Sequence, residues 1–381
     1  MTLNVRGLAR FYEYQETLFK FNLQYLFLVG LWPSEDMSTI KRVLYKTYEI
    51  TLTVFSVILI IITGIGLYQT RDNITIFLTN FDKSLAAYNF IAKAMVFLIN
   101  RDKMRALINE IENSGDKLSD EKKELLAKYV IFMSTLTLSI IASFTGLALL
   151  KGETTIEAWM PFDPLKSQMN LIIACQIIAI CFVPCALRAF AMKGLVCSII
   201  VYLCDQLVKL QDDIKMLEYS KQREMDMRMK FKRIVKNHAR LMGYSKSMEM
   251  IFKEYFLIQN LAVSVEVCLN PIMMTVAGVK HISLLITFLV YLFCALLNAY
   301  IYCYLGNELM TKSEGIAYAA YESTWTSWPV DMQKDLLILI MAAQRPFKLS
   351  AGGIAVLSFR TFSQTLSNGY SIFAVLNDVV N

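Results

Sequence analysis

The sequence predicts an all-α integral membrane protein with seven transmembrane helices, its N-terminus in the cytosol and its C-terminus outside. Three observations carry that prediction. Hydrophobic residues make up 56% of the 381, charged residues only 18%, and mean hydropathy is +0.45, a composition typical of membrane chains. The charges that remain cluster between apolar runs about twenty residues long, the length a helix needs to cross a bilayer. Lysine and arginine fall almost entirely into alternate inter-run segments, which fixes the orientation.

Residues 1–43 mix aromatics with charge and end at Trp32-Pro33-Ser34, a pattern suited to an interfacial helix. The first span is expected at about 46–68. The second, about 76–100, is weaker because Asp82, Lys83 and Lys93 interrupt it. Residues 101–128 are charge-rich, but Met104, Leu107, Ile108 and Ile111 keep helical spacing, so the second helix is expected to continue into the cytosol. The third span is expected at about 129–150. A loop with Trp159, Pro161 and Pro164 follows, and its bulky residues predict a folded cap.

The fourth span is expected at about 167–193, where Arg188 and Lys193 mark the membrane face as snorkelling cations. Beyond it, Leu203, Leu207, Leu210 and Ile214, and later Ile234, Val235, His238 and Leu241, predict cytosolic helices over 200–253 that pack together and against 101–128. Spans five and six are expected at about 255–279 and 282–307, followed by a cytosolic extension over 308–345 and a last span at about 354–379. No internal repeat or linker divides the chain, so residues 1–381 are expected to form one membrane domain. No cleavable signal peptide is expected at the N-terminus.

On the cytosolic side the count includes Lys41, Arg42 and Lys46, Arg101 to Lys128, and the dense run Lys209 to Lys253. The other side holds Arg71, Lys151, Lys166 and Lys280. This orientation is the reverse of that of G-protein-coupled receptors. It also puts Asn73, in the only N-x-S/T sequon, outside, where glycosylation is possible. The net charge of +6 follows from this bias and is no nucleic-acid footprint. All eight cysteines lie in apolar segments or at their inner ends, which argues against a disulfide framework.

No protease, hydrolase or phosphate-binding motif is present, and of the two histidines His238 fits an amphipathic stripe while His281 sits at an outer loop. The chain is therefore expected to be no enzyme and to need no cofactor or metal. Glu266 stands in mid-span, with Asn298 or Arg360 as candidate partners, and a buried protonated acid is the alternative reading.

The last span is the most informative. Thr361, Gln364, Asn368, Ser371, Val375 and Asp378 fall on one helical face, while Phe359, Phe362, Leu366, Ile372, Phe373, Val379 and Val380 occupy the others. Lipid offers such a seam no partner, so it faces protein or water. One reading is a seam bonded to neighbouring helices. The other is a water-lined pore that narrows at Val375 and Val379, with the acid Asp378 near its end.

Pro346-Phe347-Lys348-Leu349-Ser350-Ala351-Gly352, then Leu357-Ser358-Phe359-Arg360-Thr361-Phe362, then Asn368 to Leu376 resemble the C-terminal signature of insect odorant receptors. Tyr302 to Gly306, Tyr321, Trp325 and the Trp159 loop extend the resemblance. It implies a subunit of a ligand-gated, non-selective cation channel in the plasma membrane of olfactory sensory dendrites. Four subunits would surround one pore, each contributing its last helix, with the cytosolic helices as the inter-subunit anchor.

The ending Ser371-Ile372, five residues, Asp378-Val379 departs from the co-receptor and gustatory-receptor pattern. With the short segment Asp205 to Glu254, it implies a tuning subunit that assembles with a co-receptor in a heterotetramer. The resemblance places the volatile ligand in the outer half of the bundle, for which Tyr88, Phe144, Gly146, Ile178, Phe182, Phe288 and Tyr291 are the inner-facing candidates. A gustatory receptor of the same superfamily and a secondary transporter coupled through Glu266 are the rival readings. Matching inverted repeats, expected of the latter, are missing from the sequence.

Overall fold

The computed structural model describes residues 18–35, 37–277 and 282–380. It is mostly helical. In chain order the helices are α1 (Lys20–Leu28), α2 (Thr39–Gln69), α3 (Ile74–Ile99), α4 (Arg101–Glu112), α5 (Asp120–Lys151), α6 (Gln168–Lys215), α7 (Glu224–Ala277), α8 (Ile282–Glu322), α9 (Val330–Ala343) and α10 (Phe359–Val380). A two-residue antiparallel pair, β1 (Ser350–Ala351) with β2 (Ala355–Val356), precedes α10.

The apolar spans and the amphipathic extensions are the same helices. At about 1.5 Å per residue, the 48 residues of α6 reach about 72 Å, more than twice the hydrocarbon thickness of a bilayer. The 54 residues of α7 and the 41 of α8 behave likewise. Ser167 caps α6 by accepting from the Asn170 amide at 3.1 Å, and Pro184 lies within the helix without ending it.

Among the described residues five helices are long and apolar enough to cross a membrane: α2, α5, α6, α7 and α8. The two that fall short, α3 and α10, have 26 and 22 residues and lack nothing in length. Each carries polar groups across its middle, Asp82, Lys83 and Lys93 in α3 and the polar face of α10.

The main core lies at the end of the bundle that holds the basic segments. There Leu207, Leu210 and Ile214 of α6 meet Phe231, Ile234 and Leu241 of α7, Leu309 and Ile316 of α8, Leu336 and Leu339 of α9, and Leu107 and Ile111 of α4, all buried. Charged pairs ring it. Asp116 accepts from Tyr202 Oη at 2.6 Å and from Arg240 at 2.9 Å, and Lys215 pairs with Glu322 at 2.7 Å. At the opposite end a much smaller cluster holds Leu59, Ile62, Ala87, Ile91, Cys181 and Cys185.

Four local expectations are corrected. The second helix does not run on into 101–128: it stops at Ile99, where the Asn100 side chain donates to the Val96 carbonyl at 3.2 Å, and α4 restarts at Arg101. The last helix starts at Phe359, because residues 354–358 belong to the β turn and its exit. Arg188 and Lys193 do not snorkel. Arg188 is 2% exposed and donates to the carbonyls of Val29 (3.0 Å) and Glu49 (3.3 Å), tying the N-terminal turn to α2 and α6. Lys193 is 4% exposed and donates to Asn298. Asn298 is thereby occupied, and Arg360 is exposed, so neither partners Glu266.

Candidate functional site

Two features stand out, a cavity at the thinly packed end of the bundle and the polar face of α10. The cavity measures about 150 Å³ and lies between α3, α5, α6 and α8 beneath the loop after α5. That is about the space that holds a benzene-sized molecule. Ile141, Ala148, Ile178 and Phe182 give it apolar walls, while Thr145, Thr155, Cys175, Tyr291 and Lys83 bring polar atoms.

Of the sequence-derived candidates, Ile178, Phe182 and Tyr291 line this cavity. Tyr88 instead exchanges a 2.9 Å hydrogen bond with Thr63 on α2. Phe288 is packed at 1% exposure, outside the cavity wall, and Gly146 faces open space. The Phe144 side chain lies outside the described residues, as do those of Asp378 and Val379.

Lys83 was missed as a site residue because its charge counted only against the span. Yet a cation inside an apolar span was, with Asp82, Lys93 and Glu266, one of the sequence's signs of a polar interior. Lys83 forms no ion pair within 4 Å among the described residues.

The cap over the cavity is folded, as its composition predicts. Trp159 N donates to the Ile62 carbonyl at 2.8 Å. The Asn80 side chain holds both backbone groups of Glu157, at 2.9 and 3.0 Å. Gly66 makes the approach possible: a Cβ there would lie 1.9 Å from the Glu157 carbonyl oxygen. Asn73 sits in the exposed turn nearby, its Oδ1 accepting from the Ile76 amide at 3.2 Å.

Helix α10 packs on α7 and α8 through Gly369, whose absent Cβ would fall 2.3 Å from Val267 Cγ1. That contact orients the helix. Gln364, Asn368, Ser371 and Val375 are all exposed, Val375 at 64%, and so point away from the chain's own bundle. Ser371 bonds only its own helix, to the Ser367 carbonyl at 2.9 Å. The exposed part of the seam is not bonded to neighbouring helices of the same chain among the described residues.

The stretch before α10 forms a clamp. Ser350 donates from both its amide (2.7 Å) and its hydroxyl to the Glu249 carboxylate on α7. Gly352 N donates to the Lys253 carbonyl at 2.8 Å, and Phe347 N to Ser313 Oγ on α8 at 2.9 Å. The Phe347 ring stacks on buried His238 at 5.9 Å, and burial holds that imidazole below the ordinary histidine value. Ser358 caps α10, accepting from the Thr361 amide at 3.3 Å. These residues join the main buried core to the last helix and line neither the 150 Å³ cavity nor its walls.

Among the described residues no group of three His, Cys, Asp or Glu side chains is placed to hold a metal, and all eight cysteines are free. Asp82 is buried at 3% and accepts from Asn270 at 3.2 Å, one turn along α7 from Glu266.

A family model described as 7tm odorant receptor matches residues 73–370. Odorant receptor 13a of Drosophila melanogaster is 22% identical over 97% of this chain and 98% of its own length. Odorant receptor 30a of the same organism is 30% identical over 146 residues, 38% of each chain. The matched stretch likewise spans 34% of putative odorant receptor 92a. In fold, the chain is similar to the insect olfactory receptor OR5 from Machilis hrabei, solved in complex with eugenol. The TM-score is 0.75 at 19% identity, covering 95% of this chain and 97% of that one. With most of its length matched by the family model and its helices arranged as in a solved insect olfactory receptor, the chain belongs to the 7tm odorant receptor family.

Proposed function

We propose that this chain is the tuning subunit of an odorant-gated, non-selective cation channel, assembled with a co-receptor in a heterotetramer. It crosses the plasma membrane of olfactory dendrites seven times, with α3 and α10 completing the five strongly apolar helices. The N-terminus is cytosolic, the C-terminus and Asn73 are outside, and the dense core of α4, α6, α7, α8 and α9 serves as the cytosolic anchor. The single observation that carries this reading is the free polar face of α10. A lipid-facing surface cannot leave the amides of Gln364 and Asn368 without partners, so the face requires water or another subunit. A pore shared between last helices supplies both.

In this reading Val375 and Val379 form the apolar constriction and Asp378 the negative exit, with Gln364, Asn368 and Ser371 lining the wider part. The ligand is a small volatile of about one ring, held in the cavity by Ile178, Phe182 and Tyr291. OR5 of Machilis hrabei, solved with eugenol, supports a ligand of that size class. Oxygen-bearing volatiles suit Lys83, which offers a cationic donor beside the apolar walls of the chamber.

Current recorded from cells co-expressing the chain and a co-receptor tests this. Val375→Ser should raise leak by wetting the closed constriction. Asp378→Asn should shift cation permeability by about fivefold, from roughly 1 kcal/mol at about 4 Å in a watery exit. Neither should change which odorant activates. Odour-gated current from the chain alone, or parental leak and permeation in both variants, would overturn the assignment.

A further inference from the structure

A second, larger concavity lies at the opposite end of the bundle from the odorant cavity. It measures about 840 Å³ and is bounded by the 33–35 turn, α2, the end of α3 and the start of α4. Its two halves differ in chemistry. At one end stand Arg42, Lys46, Arg101 and Arg105 with the carboxylates of Glu35 and Glu49. Towards the membrane interior the wall becomes Ile50, Val54, Val57, Ile58 and Leu98.

The basic residues fall into two pairs. Arg101 is held by Glu49 at 2.9 Å and Arg105 by Glu35 at 3.5 Å, with the Arg105 guanidinium over the Trp32 ring at 5.2 Å. These four charges largely neutralise one another and build the wall. Arg42 and Lys46, one turn apart on α2, are exposed, and their side chains form no ion pair or hydrogen bond among the described residues. They leave the site an excess of positive charge. The floor is rigid: buried Tyr45 accepts from Trp32 N and donates to the Phe27 carbonyl, both at 3.1 Å, and Thr53 accepts from Arg188.

The apolar wall is open. Ile50, Val54, Val57 and Ile58 are 53, 47, 43 and 37% exposed. Arg42 to Ile58 spans about 24 Å along the helix at 1.5 Å per residue. The first three turns of α2 precede its uncharged run, so the cations sit at headgroup depth and the wall at acyl-chain depth. A surface with free cations at one end and a continuous apolar trough at the other matches an amphiphile with an anionic head. We propose that this groove is a binding site for an anionic phospholipid of the leaflet that contacts the start of α2. A free phosphate would use the cations but leave the trough unexplained. The site needs no odorant, no co-receptor and no particular orientation of the chain in the membrane.

Delipidated full-length chain in a neutral detergent can be titrated with phosphatidylserine, phosphatidylcholine and water-soluble glycerophosphoserine, and bound lipid counted by native mass spectrometry. The parent should retain phosphatidylserine over phosphatidylcholine. Each removed charge should cost about fivefold, so R42Q/K46Q should lose about thirty-fold in phosphatidylserine affinity while its phosphatidylcholine binding is unchanged. V54S/V57S should weaken both lipids. Both pairs are on an exposed face, and parental thermal unfolding confirms that each variant is folded, with Lys46→Gln alone as the milder form. Equal retention of the two lipids by the parent overturns the proposal, as does unaltered phosphatidylserine affinity in the charge variant. So does glycerophosphoserine binding as tightly as the whole lipid, since the trough would then contribute nothing.

Discussion

The two ends of this molecule are built on opposite principles from the same helices. At the end that holds the basic segments, α4, α6, α7, α8 and α9 interdigitate around residues such as Leu203, Leu207 and Ile316, none of them measurably exposed. At the other end, the same α6 and α8 border a chamber, beside a six-residue apolar cluster of α2, α3 and α6 and under a loop hydrogen-bonded to α2 and α3. In the proposed reading the difference separates two tasks. Assembly needs one well-determined packing, whereas admission of small molecules needs room that packing would remove.

Substitutions at the two ends should therefore differ in kind. Leu207→Ala removes a fully buried side chain from the dense end and should cost about 2–5 kcal/mol in the unfolding of the solubilised protein. Ile178→Ala, on the chamber wall, should cost less than half as much and should instead broaden the range of active odorants. Equal stability losses would mean that the two ends are packed alike.

Gly66→Ala drives a methyl group into the Glu157 carbonyl and should displace the cap, at about 1–3 kcal/mol of overpacking. Its readout is a loss of odorant response, with surface expression kept. An unchanged response would show that the cap is no part of the chamber.

Lys83→Met should weaken responses to oxygen-bearing odorants by about tenfold, a charge-assisted hydrogen bond of about 1.5 kcal/mol, and leave hydrocarbons unaffected. Equal effects on both classes would place the lysine outside ligand contact.

The smallest effect belongs to the dense end. His238 has a depressed value in the folded protein because burial disfavours its charged form. Its contribution is thus complete above the ordinary value of 6.5 and fades as pH falls through the lower folded value. The parent should lose stability on mild acidification, and His238→Phe should flatten that part of the profile. A profile unchanged by the substitution would assign the acid sensitivity elsewhere.

The dense end was far more legible in the sequence than the open one. Leu203, Leu207, Leu210 and Ile214 announced their helix and its buried face by spacing alone, because packing imposes periodicity. The chamber imposes none. Ile178, Phe182 and Tyr291 were reached from the helix faces, but Tyr88 looked equivalent and turned out to bond Thr63. Nothing in spacing distinguishes a side chain that borders space from one that fills it. Arg188 was misread for a related reason: its partners are backbone carbonyls of Val29, Gly30 and Glu49, which any sequence would offer. The polar face of α10 was visible as a stripe, but only the position of Gly369 against Val267 shows that the stripe faces outward.

The clamp around Glu249 and Ser350 has a consequence for how such receptors diversify. Part of the family-like ending, Phe347 through Thr361, lies where the main buried core meets the last helix, and none of it lines the 150 Å³ chamber. In the proposed reading, ligand preference and this part of the family-like ending are written in different places. A duplicated gene could exchange Ile178, Phe182 or Lys83 and acquire a new stimulus while inheriting its assembly unaltered. Relatives can thus share a recognisable ending while they detect unrelated chemistry.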